Sequence, residues 1–244
     1  MTLPKQLTSS IENLYLVFKR YSRPLRADVS PYAGIREADI ERLASRPLRE
    51  LQPQDVQAYA RHALTTWGDD REFRHYLPRL FELLTEGPHC LDVELLIGKL
   101  DPEWTTWPED ERSALLRFLD ALWDWALETY PDKIAARDIL RGLGALGRDL
   151  GPFLERWRHA KSHASGVQLA SFVLYEEPDL RAGAPVQSFW RPNDPEQVSR
   201  FLLAPETRAK LEAAHRAEPA HPSARDLSDA LEVLEAAGVG PSSG

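Results

Sequence analysis

Apolar residues in this chain recur at three- and four-residue intervals. The clearest case is residues 69–84, where Phe73, Tyr76, Leu77, Leu80, Phe81 and Leu84 fall at i, i+3, i+4, i+7, i+8 and i+11, one face of a helix. Gly68 suits the left-handed position between helices, and Asp69 or Asp70 suits the cap that starts the next one. This predicts a very short turn between a helix over 54–67 and one over 69–86. Pro78 is expected opposite the apolar face, where it kinks the helix. Residues 108–130 form the longest predicted helix. Its apolar positions cover most of the circumference and leave a polar stripe of Arg117, Asp120, Asp124 and Glu128, which places it at the centre of the domain. Further helices are predicted over 9–21, 37–44, 91–100, 132–146, 152–162, 166–175, 197–203, 205–217 and 227–237. No segment alternates as a strand does. The expected fold is all-α, an irregular multi-helix bundle or a short stack of helix pairs.

Composition then divides the chain. Seven of the 19 prolines lie between Pro178 and Pro222. Residues 1–180 are therefore expected to form the helical domain. Residues 181–244 are expected to form a Pro-rich loop with short helices and a disordered tail.

The net charge of −8 disfavours a general nucleic-acid binder, because a phosphate backbone selects a basic footprint. Cys90 is the only cysteine, so no intrachain disulfide forms, and a reducing cytoplasmic setting is expected. The N-terminus lacks the layout of a signal peptide, and the apolar runs fall short of the roughly 20 residues that span a bilayer.

The stretch Tyr76-Leu-Pro-Arg-Leu-Phe-Glu-Leu-Leu84 resembles the first helix of a HEAT repeat, with 91–100 as the second helix. Phe153-Leu-Glu-Arg-Trp157 followed by Gln168-Leu-Ala-Ser-Phe-Val173 looks like a degenerate second copy. The resemblance implies a short HEAT-like α-solenoid, the alternative to an irregular bundle, although no constant repeat length is found. Thr65-Thr-Trp-Gly68 with 76–84 also resembles bacterial all-helical proteins, from which no function carries over.

Several residues carry candidate chemistry. His159 and His163 are four apart, so on one helix both imidazoles face one metal, with Asp120, Asp124 or Glu128 as a possible carboxylate ligand. The Glu beside the first His that makes the metalloprotease motif specific is absent, and two ordinary helix-end histidines explain the pair as well. The acidic stripe reads more simply as a solvated face. Cys90 follows His89 in a turn without a nucleophile elbow and reads as structural. Gly142-Leu-Gly-Ala-Leu-Gly147 has dinucleotide-loop spacing, but a helix precedes it where a strand is required. Arg71, Arg74, His75 and Arg79 share the polar side of the 69–86 helix, with Trp67 at its edge; a solvated face is the bland reading, a protein-binding face the sharper one. Trp123, Trp125 and Trp157 are expected in the core. Trp104, Trp107 or Trp190, if exposed, would be binding hot spots.

The leading expectation is a non-enzymatic protein-interaction module without a cofactor, binding a protein partner through Trp67, Arg71, Arg74, His75 and Arg79. The first alternative is a metal-dependent hydrolase using His159, His163 and the acidic stripe. The second is a HEAT-like nucleic-acid binder.

Overall fold

The structure, a computed structural model, describes residues 3–24, 28–87, 91–100, 103–189, 191 and 194–238. Among them the chain forms α1 (Lys5–Phe18), α2 (Glu37–Ala44), α3 (Pro53–His62), α4 (Asp70–Leu83), α5 (Val93–Gly98), α6 (Glu109–Leu127), α7 (Ala136–Ala145), α8 (Gly151–His159), α9 (His163–Tyr175), α10 (Glu177–Arg181), α11 (Asp194–Leu202), α12 (Pro205–Ala217) and α13 (Ala224–Gly238). The described residues contain no strand, only two isolated bridges from Trp67 to Val29 and Ala63. The chain is all-α, as the periodicity predicts. No described helix is long and apolar enough to cross a membrane.

The links between helices differ more from expectation than the helices do. α3 stops at His62, not 67, and residues 63–69 form a clasp: Ser30 N donates to Thr66 O (2.9 Å), and Gly68 N to Asp28 O (2.7 Å). Gly68 is left-handed (φ +71°), and Asp69 caps α4 by accepting from Glu72 N at 2.8 Å. Pro78 lies within α4 but is buried, not opposite the apolar face. α5 is shorter than predicted and leaves Leu95 40% exposed.

The chain divides into two compact units, Met1–Leu122 and Trp123–Gly244, and α6 supplies residues to each. Composition alone placed a change near residue 180. The segment beyond it contains α11, α12 and α13, and the last two pack on α9.

In the first unit α1 packs on α4 and α2 on α3. Its core holds Leu7, Leu14, Phe18, Tyr59, Trp67, Phe73, Phe81 and Phe118. Trp67 meets Tyr59 edge-on (5.4 Å between centroids), and Phe81 meets Phe118 the same way (5.3 Å).

In the second unit α9 is the central helix, contacting α7, α10, α12 and α13. Gly166 lets α12 approach: a Cβ there would lie 2.4 Å from Ala214 Cβ. Trp157 stacks on Phe172 (5.7 Å, 2°) and receives Trp123 on edge (5.4 Å). Gln168 is buried, and its Nε2 donates to the carbonyls of Ala126, Thr129 and Ile134 while its Oε1 accepts from Ala136 N. One amide thus joins the end of α6 to the start of α7. The main packing pairs, α1 with α4 and α9 with α13, lie far apart in sequence. A solenoid pairs successive helices instead, so the architecture is an irregular bundle and not a regular HEAT-type array.

Candidate metal centre

Three side chains in the second unit converge on a set that can hold a metal ion: His163, Glu218 and His221. Each offers one ligand atom, and these atoms all lie within 4.8 Å of one another.

Local sequence explains their positions. Ser162 caps α9: its Oγ accepts from Ser165 N (3.1 Å) and donates to Leu127 O (2.8 Å). This fixes His163 as the first residue of α9. α12 ends at Ala217, and Pro219 cannot continue a helix. His221 N then donates to Glu218 O (3.1 Å), closing a turn that carries Glu218 and His221 three residues apart. His221 Nδ1 contacts Ser223 Oγ at 2.7 Å and accepts from Ser223 N at 3.2 Å.

His163 Nδ1 lies 3.8 Å from Glu218 Oε1 and 3.1 Å from the Tyr130 hydroxyl. The two imidazoles stand 4.8 Å apart between centroids, at 67°. Tyr130 stacks on His221 at 5.0 Å and 11°. Burial, and then the charge of Glu218, push the Tyr130 hydroxyl above its ordinary pKa, so it stays protonated at neutral pH. The His163 side chain is only 7% exposed, and its Nε2 is buried with no hydrogen-bond partner among the described residues. A buried imidazole nitrogen left unpaired costs about 1–3 kcal/mol. The Glu218 side chain is 48% exposed.

Ligand atoms on tetrahedral zinc, at bond lengths of about 2.0–2.2 Å, stand roughly 3.3–3.5 Å apart. Ligand atoms up to 4.8 Å apart must therefore draw in by about 1 Å to hold zinc. The negative end of the α12 dipole favours a cation here, while the N-terminus of α9 opposes it. Glu218 supplies the charge that decides the balance. Tyr130, His221 and Ser223 also line an open cleft of about 720 Å³, together with Asp132, Arg137 and Asp226.

The sequence pairs His163 with His159, whereas the structure places it beside His221. α8 ends at His159 and a new helix starts at His163, so the two do not share a face. His159 is 74% exposed and contacts Glu155 at 2.8 Å. In the acidic stripe Asp124 pairs with Arg156 (2.9 Å), Glu128 is exposed, and Asp120 is engaged elsewhere; none joins His163, Glu218 and His221. Glu218 and His221 were missed. Their Glu-x-x-His spacing after a helix end was the available signal, but only the docking of α12 on α9 brings it to His163.

Of the five residues expected on a partner-binding face, Arg71 is exposed and the others have internal roles. Trp67 is 1% exposed. Arg79 is 5% exposed, donating to Leu51 O (2.7 Å), Glu82 (2.7 Å) and Glu86 (2.8 Å). Arg74 pairs with Asp70 and with the buried Glu111 (3.1 Å), and its guanidinium lies over the Trp107 ring at 4.1 Å. His75 Nδ1 contacts Tyr21 O at 2.9 Å. Trp104 and Trp107 are buried, so neither is an exposed hot spot. Gly142 and Gly144 lie inside α7, in keeping with a chance match to the dinucleotide spacing. Cys90, with His89, and Trp190 lie outside the described residues.

No known protein family matches this chain, and no curated protein and no solved structure is detectably similar to it.

Proposed function

We propose that this protein is a metal-dependent hydrolase whose ion is held by His163, Glu218 and His221. The observation that carries the reading is the donor set itself: two imidazoles and one carboxylate, within 4.8 Å of one another, beside a cleft. Three protein ligands of this type with an open fourth position characterise catalytic zinc, whereas structural zinc closes its shell with four. Bound zinc would lower the pKa of a coordinated water to about 7 and polarise a substrate carbonyl or phosphoryl oxygen. Tyr130, stacked on His221 and bonded to His163, would orient both rings.

Metal analysis and calorimetry on the metal-free full chain test this reading. The expected result is one equivalent of zinc, with affinity reduced more than about 100-fold in His163→Ala and His221→Ala. Hydrolysis of activated carboxylic and phosphoric esters should then require the metal and return when it is restored. Failure of the wild type to bind zinc or manganese at micromolar concentration would overturn the proposal. Binding without hydrolysis would leave a metal site and remove the enzyme. The interaction-module reading through Trp67 and α4 has weaker support, since Trp67, Arg74, His75 and Arg79 are buried or bonded within the first unit and only Arg71 is exposed.

A further inference from the structure

The first unit contains a second, chemically different cleft, of about 240 Å³, between α2 and α3. Arg36, Asp39 and Arg42 occupy one side, three residues apart along α2 and its N-cap. Gln54, Gln57 and Arg61 occupy the other, at i, i+3 and i+7 on one face of α3. Asp39 accepts from Arg36 Nε and Nη2, both at 2.9 Å, and lies 3.3 Å from Arg42 Nη1. The Arg36 hydrogen bonds hold the Asp39 carboxyl below its ordinary pKa, so it is ionised at neutral pH. One carboxylate thus tethers two guanidiniums. Arg61 has no carboxylate partner among the described residues, so three cations face one anion and leave about two positive charges in excess.

The lining is mostly polar and rich in donors: three guanidiniums and two carboxamides. The cleft is smaller than the roughly 300–1,000 Å³ of ordinary small-molecule pockets, and it offers little apolar wall for a ring. A phosphate monoester carries about −1.5 to −2 at neutral pH and several strong acceptor oxygens, matching both the charge excess and the donors. We propose that this cleft binds the phosphate group of a small phosphorylated ligand. The proposal does not depend on the metal centre.

The test is titration of metal-free full-length protein with inorganic phosphate at constant ionic strength, followed by NMR, with acetate as the planar, singly charged comparison. The expected result is saturable binding with a Kd of about 1 mM, at least roughly tenfold tighter than acetate, with the Arg42 and Arg61 side-chain signals shifting. Both side chains are solvent-accessible, so Arg61→Gln and the double variant Arg42→Gln/Arg61→Gln should keep the wild-type circular dichroism. They should weaken phosphate by about tenfold and more than tenfold. Non-saturating shifts, equal affinity for acetate, or unchanged phosphate affinity in the folded double variant would each overturn the proposal.

Discussion

Glu72 is 5% exposed and lies near Asp69 and Asp28, and burial followed by those charges raises its pKa from an ordinary 4.5 to about 7. The fold therefore keeps a proton that the unfolded chain releases near pH 4.5. Stability should fall as pH rises from about 4.5 through about 7, then level off, by on the order of 2–3 kcal/mol. Glu72→Gln should remove this slope, matching wild type near pH 4.5 and exceeding it by about 1–3 kcal/mol at pH 8. Urea denaturation at several pH values decides it, and an identical slope in both proteins would refute the assignment. Gln168 behaves oppositely. Its amide satisfies three buried carbonyls and one N–H, so Gln168→Leu should cost about 3–5 kcal/mol by leaving them unpaired. A loss below about 1 kcal/mol would show that water or a shift replaces the bonds.

At the scale of elements, the candidate metal centre depends on two helix ends and one close helix contact. Ser162 caps α9, so Ser162→Ala should destabilise the protein by about 1–2 kcal/mol and loosen the anchoring of His163. Gly166 is where α12 meets α9, with Ala214 Cβ 2.4 Å from the position a Cβ would take. Gly166→Ala gains about 0.5–1 kcal/mol of helix propensity but over-packs the contact by about 1–3 kcal/mol, so the net effect should be destabilising. Because Glu218 directly follows α12, the same substitution should weaken zinc binding although it touches no ligand. Parallel measurement of melting temperature and zinc affinity tests both parts; a stabilised variant with unchanged affinity would show that the helices yield without moving the turn.

For the molecule as a whole, binding of the proposed metal would be linked to folding. Zinc at 100 times its Kd should add about 2.7 kcal/mol to the stability of the unit that holds the centre, visible as a rise in its melting temperature. His221→Ala should melt alike with and without zinc. An equal zinc-induced shift in that variant would place the ion elsewhere. The division at Leu122/Trp123 falls inside α6, where no change of composition marks it. Composition changes near residue 180, yet the contacts of α12 and α13 with α9 carry the compact unit across that point.

The sequence by itself determined most of the helices, though not α10 or the ends of α3, α5 and α6, because helix formation is written in local spacing: Phe73 to Leu84 share a face wherever α4 is placed. It determined α2 over Glu37–Ala44 and α12 over Pro205–Ala217 to the residue. It also determined that Trp123, Trp125 and Trp157 are core. Tertiary structure decided which polar faces meet solvent. Arg74 and Arg79 read as surface residues from their spacing, and it is Glu111 and Leu51, 37 and 28 residues away, that turn them inward. It likewise decided which side chains form the candidate metal centre. His163 and His221 are 58 residues apart, and their meeting depends on a glycine that lets two helices touch and a proline that ends one of them. Periodicity records which side of an element is apolar; it does not record what that side is packed against.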